Sequence, residues 1–450
     1  MSGLATRSQP GSSTLRPTER LAGVVKLPAD KSIAHRALIC AALADGVSTV
    51  RLREPGRDVL STVGALRSLG VRCEITLDGE LLTATIEGLG SAGEVGRLGD
   101  GEADCGNSGT TMRLLAGALA SGSGRAVLAG DESLSRRPME RLAGPLRAMG
   151  ALLTTTDGHA PLVIDGRRPL RPLEHELPIP SAQVLGAICL AALAADGHTS
   201  VLVRGPTRDH SERMLAALGA PITRQPLDGG ATLTVIDGPA GLSAVDTSIP
   251  ADFSSAAAWI VAASLHRDAV VRLAGVGLNP TRTALLDVLR EMGAQIEVSA
   301  AADQGGEPIG DIVVRSAGRL QAVSVGPALV PALIDELPLL AVAMAGAEGT
   351  SEVCGASELR VKESDRIATM ASALHAAGAK VEELSDGWRI SRGRPRSAEV
   401  VTGGDHRVAM AMAVAGWTGI AAEVALDDPA CVDVSYPSFW RHAASLSVAA

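Results

Sequence analysis

The chain has 450 residues and few aromatic side chains: four Trp, two Phe and one Tyr. Its core must therefore be built from Ala, Leu, Val and Ile. With so few stacking rings and a net charge of -9, it lacks the basic, aromatic footprint of a nucleic-acid binder. Its six cysteines, at 40, 73, 105, 189, 354 and 431, are dispersed and form no C-x-x-C pair. That excludes a zinc or redox motif of this type and fits free thiols in a reducing cytoplasm, so a cytoplasmic location is expected. The most apolar stretch, 408–422, is Ala-rich and broken by Gly416 and Gly419. It falls short of the ~20 apolar residues of a membrane span, and no membrane association is expected. Residues 1–20 carry no apolar leader segment and are rich in Ser, Thr and Arg. A disordered tail is the expectation there, with a transit peptide as the alternative.

What the chain does have is a repeat. An apolar helix tail, a glycine and then a strand recur at 65–75, 145–155, 214–224, 288–298 and 373–383. The closing glycines are Gly70, Gly150, Gly219, Gly293 and Gly378. Apolar residues at i, i+3 and i+4 predict an amphipathic helix, and Gly just past its end takes the left-handed conformation that closes the last carbonyls. Four copies continue into an Asp-Gly turn, at Asp78-Gly79, Asp157-Gly158, Asp228-Gly229 and Asp386-Gly387. Asp-Gly between apolar runs predicts a hairpin. At a pitch near 75 residues the chain holds six such units, the last degraded, and they group as two domains of three.

Charged clusters punctuate the repeats. Lys31, Ser32 and Arg36 stand where an extended, proline-bounded segment enters an apolar helix. Cations and hydroxyls on a first helical turn suit a phosphate, since free N–H groups and the helix dipole add to their charge. The loop 105–113, CGNSGTTMR, resembles an anion cradle but is not a P-loop, because no Lys follows its glycines. Arg136-Arg137-Pro138, the Pro-Ser-Ala-Gln of 180–183 and the Thr-Arg-Asp-His of 207–210 also precede helices. Each taken alone could be an ordinary capping loop. Further on, Asp335 and Glu336 precede an apolar helix, where an acid either caps or serves as a positioned base. The run 358–366 and the segment Asp405-His406-Arg407 complete the set.

Taken together, DKSIAHR, GNSGTTMR, SLSRRPM, SAQ, TRDH, LNPTR, DELP, LRVKESDR and DHRVAMA resemble the 5-enolpyruvylshikimate-3-phosphate synthases, from about Leu21 to Trp440. The resemblance implies an α/β fold of two domains, each with three βαβαββ-type repeats and buried helices surrounded by sheets. It implies an N-terminal domain of 30–249, a C-terminal domain of 21–29 plus 250–450, hinges near Ala29 and Pro250, and a site in the cleft. The implied reaction moves the enolpyruvyl group of phosphoenolpyruvate to the 5-hydroxyl of shikimate 3-phosphate and releases phosphate.

By motif, Lys31, Ser32, Arg36, Ser181, Ala182, Gln183, Arg208, Asp335 and Lys362 would hold shikimate 3-phosphate. Lys31, Asn107, Gly109, Arg137, Gln183, Arg366 and Arg407 would hold phosphoenolpyruvate. Asp335 resembles the base and Glu363 the acid, with Lys31 and Lys362 beside them. No metal or organic cofactor is implied, and a monomer is expected. Glyphosate is a candidate inhibitor. Gly109 leaves room for it, whereas SLSRRPM, SAQ and TRDH resemble a subgroup that includes tolerant enzymes.

Three departures from the family pattern stand out: Ala29 and Ala251 replace glycines at the expected hinges, and Val434 stands where many members have Lys. Two alternatives are a UDP-N-acetylglucosamine enolpyruvyl transferase, which uses a loop Cys absent between Asp131 and Met139, and a non-catalytic anion-binding paralogue, from which loss of Asp335, Glu363 or Lys31 would be expected.

Overall fold

The structure, a computed structural model, describes residues 14–122 and 124–448. All five helix–Gly–strand segments form. The helices Arg57–Ser68, Glu140–Ala148, His210–Ala217, Ala284–Glu291 and Arg366–Ala376 each stop two residues before the glycine. Each glycine has φ between +86° and +100°. In that conformation its N–H turns back onto a carbonyl of the last turn, as Gly70 does with Arg67 and Gly378 with His375.

The turns follow with one exception. Asp157 and Gly158 both have positive φ and join Leu152–Thr156 to His159–Asp165, as a tight hairpin requires. Gly387 does not adopt positive φ. It opens the strand Gly387–Ser391, and its reason is space: a Cβ there would lie 1.9 Å from the Val353 carbonyl oxygen. The copy without Asp-Gly uses Gly305-Gly306, both at positive φ, between Gln295–Gln304 and Glu307–Arg315.

Five sheets share one order. A strand lies parallel to its neighbour, which pairs antiparallel with the second arm of a hairpin. Gly101–Asp104, Arg125–Ala129, His159–Asp165 and Leu152–Thr156 form such a set. Two sheets take their first strand from far away. Asp246–Ser248 lies beside Val47–Arg53, and Arg20–Val25 lies beside Ala269–Gly277. The sixth unit is reduced to the parallel pair Ser397–Val400 and Glu423–Leu426. Its helix Phe439–Leu446 runs into Ser447–Val448, which pairs back onto Arg20–Val25.

The sheets enclose two sets of three buried helices. Lys31–Leu43, Gly109–Leu119 and Ala182–Ala192 occupy the first lobe, and Phe253–Leu265, Leu337–Gly346 and His406–Trp417 the second. They are Ala-rich and nearly without a polar face, so they favour helix and can sit inside a shell of sheets. Gly117 permits the closest approach, since a Cβ there would lie 2.2 Å from the Ala187 carbonyl oxygen. Buried apolar side chains form two separate cores, one from Ile33 to Ile249, the other from Leu21–Leu27 and Ala251–Leu446.

All seven aromatic residues lie in the second lobe. Five form one cluster, Trp259, Trp417, Tyr436, Phe439 and Trp440, in which Trp259 stacks on Trp417 at 5.6 Å and donates its indole N–H to the Tyr436 hydroxyl at 2.8 Å.

The chain passes between lobes twice, and the two passages lie side by side. Ala29 and Ala251 form an antiparallel bridge, the Asp30 N–H donates to the Pro250 carbonyl, and the Asp252 N–H donates to the Pro28 carbonyl. Neither alanine has positive φ, so replacing glycine costs no backbone strain at either position. Most of the tail expected at 1–20 lies outside the described residues. Its end, however, is held: Leu15 exchanges two hydrogen bonds with Val424, and Arg16 pairs with Glu423 at 2.8 Å. Among the described residues no helix is long and apolar enough to cross a membrane.

The first-lobe core contains one titratable group with a clear consequence. His35 is buried, and its Nδ1 meets the Thr62 hydroxyl at 2.7 Å, which meets Thr111 at 2.7 Å. Burial, then the nearby Lys31 and Arg36, push its pKa down to about 3. The unfolded chain takes up this proton near pH 6.5, so the contribution is complete above that pH and is lost as pH falls toward 3. In urea unfolding followed by circular dichroism, His35→Asn should flatten the loss of stability between pH 6.5 and 4 by up to about 1.4 kcal/mol per pH unit. Identical slopes in the two proteins would remove His35 as the source. Tryptophan fluorescence would miss this signal, because the first lobe has no aromatic residue.

Candidate active site

The helix starts bring the charged clusters together. Lys31, Gly109 and Ala182 are each the first residue of a buried helix, capped by Asp30, Ser108 and Ser181. Across the cleft, Glu336 precedes Leu337–Gly346, and Asp405 caps His406–Trp417 by accepting from the Arg407 N–H at 2.9 Å. Such starts carry unpaired N–H groups and the positive end of the helix dipole, which favours anions.

Asp335 is the centre of the arrangement. Arg208 of the first lobe pairs with its Oδ2. Arg407 lies 3.4 Å from Oδ1 and also donates to the Asp335 carbonyl at 2.8 Å. Arg366 lies 3.9 Å from Oδ1. Burial alone would raise the pKa of this carboxyl, but Arg407, Arg208, Arg366 and Arg282 together hold it well below the usual carboxylate range. The adjacent Glu336 is fully buried, and burial together with the Asp335 charge pushes its pKa up. The two neighbouring acids thus differ in their readiness to hold a proton.

Arg366 is itself positioned. Its Nε donates to Asp405 at 2.7 Å, and Nη2 reaches Glu363. Glu363 is therefore tied to the cluster through Arg366, with about half of its side chain exposed. Lys362 points elsewhere in this structure and pairs with Glu358.

The first-lobe wall is a second network. Arg137 donates to Asn107 Oδ1 at 2.6 Å, and Asn107 donates to Asp131 at 2.7 Å. Gln183 accepts from Arg113 at 2.5 Å and donates to Thr110 at 2.8 Å. A Cβ on Gly109 would meet Arg113 Nη1 at 2.8 Å and Arg137 Nη1 at 3.2 Å. Lys31 lies 3.7 Å from Asp58. Arg36 is buried, donating to the Ser211 hydroxyl and the Ser32 carbonyl, both at 2.8 Å. Ser181 accepts from the Val184 N–H at 3.4 Å. Val434 is half exposed and offers no charge to the cleft.

Arg113 and Arg282 are absent from the residues expected from sequence. Arg113 could have been found: it stands one turn after Gly109, so its guanidinium folds back over the helix start. Arg282 could not, because its partners Asp30 and Asp252 are 252 and 30 residues away. Among the described residues no group of His, Cys, Asp and Glu is arranged to hold a metal ion.

Residues 15–442 match the family model described as EPSP synthase (3-phosphoshikimate 1-carboxyvinyltransferase). A 3-phosphoshikimate 1-carboxyvinyltransferase of Acidithiobacillus ferrooxidans is 47% identical over 425 residues, covering 94% of this chain and 95% of that protein. Its counterpart in Salinibacter ruber is 46% identical over 439 residues, covering 97% and 99%. The solved structure of an EPSP synthase from Acinetobacter baumannii superposes with a TM-score of 0.86 at 37% identity, covering 97% of this chain and 98% of that one. With its six-sheet, two-lobed architecture and a cationic cleft at the helix starts, the chain belongs to the EPSP synthase family.

Proposed function

We propose that the cleft around Asp335 is where this chain carries out the reaction of its family and that the residues gathered there divide the work. The chain is a transferase of the shikimate pathway: it moves the enolpyruvyl group of phosphoenolpyruvate to shikimate 3-phosphate, on the way to the aromatic amino acids. The observation that carries the site assignment is the convergence of Arg208, Arg366 and Arg407 on one carboxylate. A protein of net charge -9 can bind two polyanions only through such a local concentration of cations.

Lys31, Ser32, Ser181, Ala182, Gln183 and Arg208 face shikimate 3-phosphate in this reading, while Arg36 and Lys362, which pair with Ser211 and Glu358 in the free protein, must turn to reach it. Lys31, Asn107, Gly109, Arg137, Gln183, Arg366 and Arg407 serve phosphoenolpyruvate. Arginine suits these positions because its planar fork meets carboxylate and phosphate with two hydrogen bonds. Asp335 takes the proton of the 5-hydroxyl as its oxygen adds to C2 of phosphoenolpyruvate, and Glu363 delivers a proton to the methylene carbon. The tetrahedral intermediate then loses phosphate and a methyl proton, restoring the enol double bond. A carboxylate held so far below its ordinary pKa is a poor base. Substrate phosphate and carboxylate groups, by engaging Arg208 and Arg407, relieve that pull and make Asp335 more basic when it is needed.

The chain divides into 30–249 and 21–29 with 250–450, and the paired passages at Ala29 and Ala251 are its hinges. A cytoplasmic location accords with the dispersed, unpaired cysteines, and the chain is taken to act as a monomer.

The assay is phosphate release from phosphoenolpyruvate that depends on shikimate 3-phosphate, and its absence would refute the assignment. Asp335→Asn and Glu363→Gln should each lower kcat at least about 10²-fold with substrate affinity largely kept. Near-normal turnover in either variant removes that residue from the proton-transfer scheme. Because Asp335 stays ionised in the free protein, kcat/KM should show no acid limb from this group down to about pH 4, near the ordinary carboxylate value. An acid limb between pH 5 and 7 that disappears in Asp335→Asn would contradict this.

Gly109 bears on inhibition. The Cβ of Gly109→Ala must displace the guanidinium ends of Arg113 and Arg137, which are flexible, so the protein should fold normally. Glyphosate competing with phosphoenolpyruvate should then bind at least about 10-fold more weakly, or 1.4 kcal/mol, with a smaller loss for phosphoenolpyruvate. The inhibition constants of both proteins against varied phosphoenolpyruvate decide it. A parent enzyme already needing millimolar glyphosate would show that Gly109 does not set sensitivity.

A further inference from the structure

The loop 278–282, Leu-Asn-Pro-Thr-Arg, belongs to the second lobe, and two of its side chains, Asn279 and Arg282, each join a carboxylate of the first lobe to groups of the second. Asn279 donates through Nδ2 to Asp209 at 2.8 Å and to Glu307 at 2.9 Å. Glu307 in turn meets His210 Nδ1 at 2.6 Å. Arg282 donates to Asp30 at 3.1 Å, to Asp252 at 3.3 Å and to the Ser254 hydroxyl at 2.8 Å. Asn279 and Arg282 are buried, and the Asn279 amide and both terminal guanidinium nitrogens of Arg282 are engaged by protein carboxylates or hydroxyls. The loop ties these two grips together, because the Arg282 N–H donates to the Asn279 carbonyl at 2.9 Å.

Each grip falls next to a substrate cation. Asp209 follows Arg208, and Asp30 precedes Lys31 while capping its helix through the Ile33 N–H at 3.0 Å. Asp209 also accepts from Arg213 at 2.9 Å and from Arg224 at 3.3 Å, and Asp30 from the Ile33 N–H, so removing Asn279 or Arg282 either draws the buried carboxylate toward its remaining donors or leaves one of its oxygens unpaired. Either outcome moves the neighbouring cation relative to the cleft, where displacements of about 1 Å already matter.

We propose that Asn279 and Arg282 are positioning residues for shikimate 3-phosphate: Asn279 sets Arg208 through Asp209, and Arg282 sets Lys31 through Asp30. A single loop of the second lobe thereby orients two of the three cations, Lys31 and Arg208 but not Arg36, that the first lobe presents to this substrate. The inference rests on the assignment of Arg208 and Lys31 to shikimate 3-phosphate made above.

Two double-mutant cycles on the full-length protein test it, read as the Kd for shikimate 3-phosphate by calorimetry, with folding of each variant checked by circular dichroism. One cycle combines Asn279→Ala with Arg208→Ala, the other Arg282→Lys with Lys31→Ala. Each single change should weaken binding at least about 10-fold. Asn279→Ala should cost less than about 3-fold once Arg208 is already alanine, and Arg282→Lys likewise in the Lys31→Ala background. A merely structural role would give losses that multiply in the double variants, and that result overturns the proposal, as would unchanged affinity in Asn279→Ala. If Arg208→Ala and Lys31→Ala themselves bind with full affinity, the substrate assignment fails and this inference falls with it. The cycles are independent, so a variant that does not fold in one leaves the other to decide.

Discussion

Bringing several guanidinium groups to one buried carboxylate is the constraint on which this structure depends. Asp335 faces Arg208, Arg366 and Arg407, and the next carboxylates, Glu336, Asp252 and Asp30, face Arg282 and Ser254. Like charges at such density repel unless every group has an opposite partner nearby. The fold meets this need by letting acids and arginines alternate along the seam between lobes. The same alternation prepares the cleft for polyanions: arginines that hold carboxylates in the free protein have the shape and charge to hold substrate phosphate and carboxylate.

The repeat architecture explains why the seam lies where it does. In each unit a buried helix starts from a short capping segment, and the caps of all six inner helices carry polar or acidic side chains: Asp30, Ser108, Ser181, Asp252, Glu336 and Asp405. Three parallel helices per lobe place three starts at one end, and two lobes facing each other bring six starts to one cleft. Exchange of the first strands, Arg20–Val25 into one lobe and Asp246–Ser248 into the other, places both chain passages beside this cleft. The two passages pair at Ala29 and Ala251, each immediately before the acid that caps a buried helix, Asp30 or Asp252.

Much of this was legible in the sequence, for local reasons. The five glycines after the amphipathic helices had to be left-handed stops, and they are. The Asp-Gly hairpins form, although Gly387 is glycine for lack of room rather than for its φ. The degraded sixth unit is a genuine reduction, with its hairpin missing and its last strand lent to another sheet. The motifs also pointed to the acids and cations gathered around Asp335, because each lies on the first turn of a helix, as Lys31, Arg366 and Arg407 do, or in the short segment before one, as Arg137, Arg208, Asp335 and Glu363 do.

The sequence by itself therefore determined the units, their stops, the apolar helices and the residue types at the helix starts, since all of these follow from interactions a few residues long. It could not show that Arg208 reaches Asp335 across 127 positions, that Arg36 turns inward to Ser211, or that Arg282 joins Asp30 to Asp252. Those pairings depend on how six similar units are placed in space. The ionisation of Asp335 and Glu336 belongs to the same class: two adjacent acids are driven apart because the pull of Arg407, Arg208 and Arg366 prevails at Asp335, whereas burial and the Asp335 charge prevail at Glu336. Tertiary structure decided these features because charge interactions and burial act through space, and the sequence records only order along the chain.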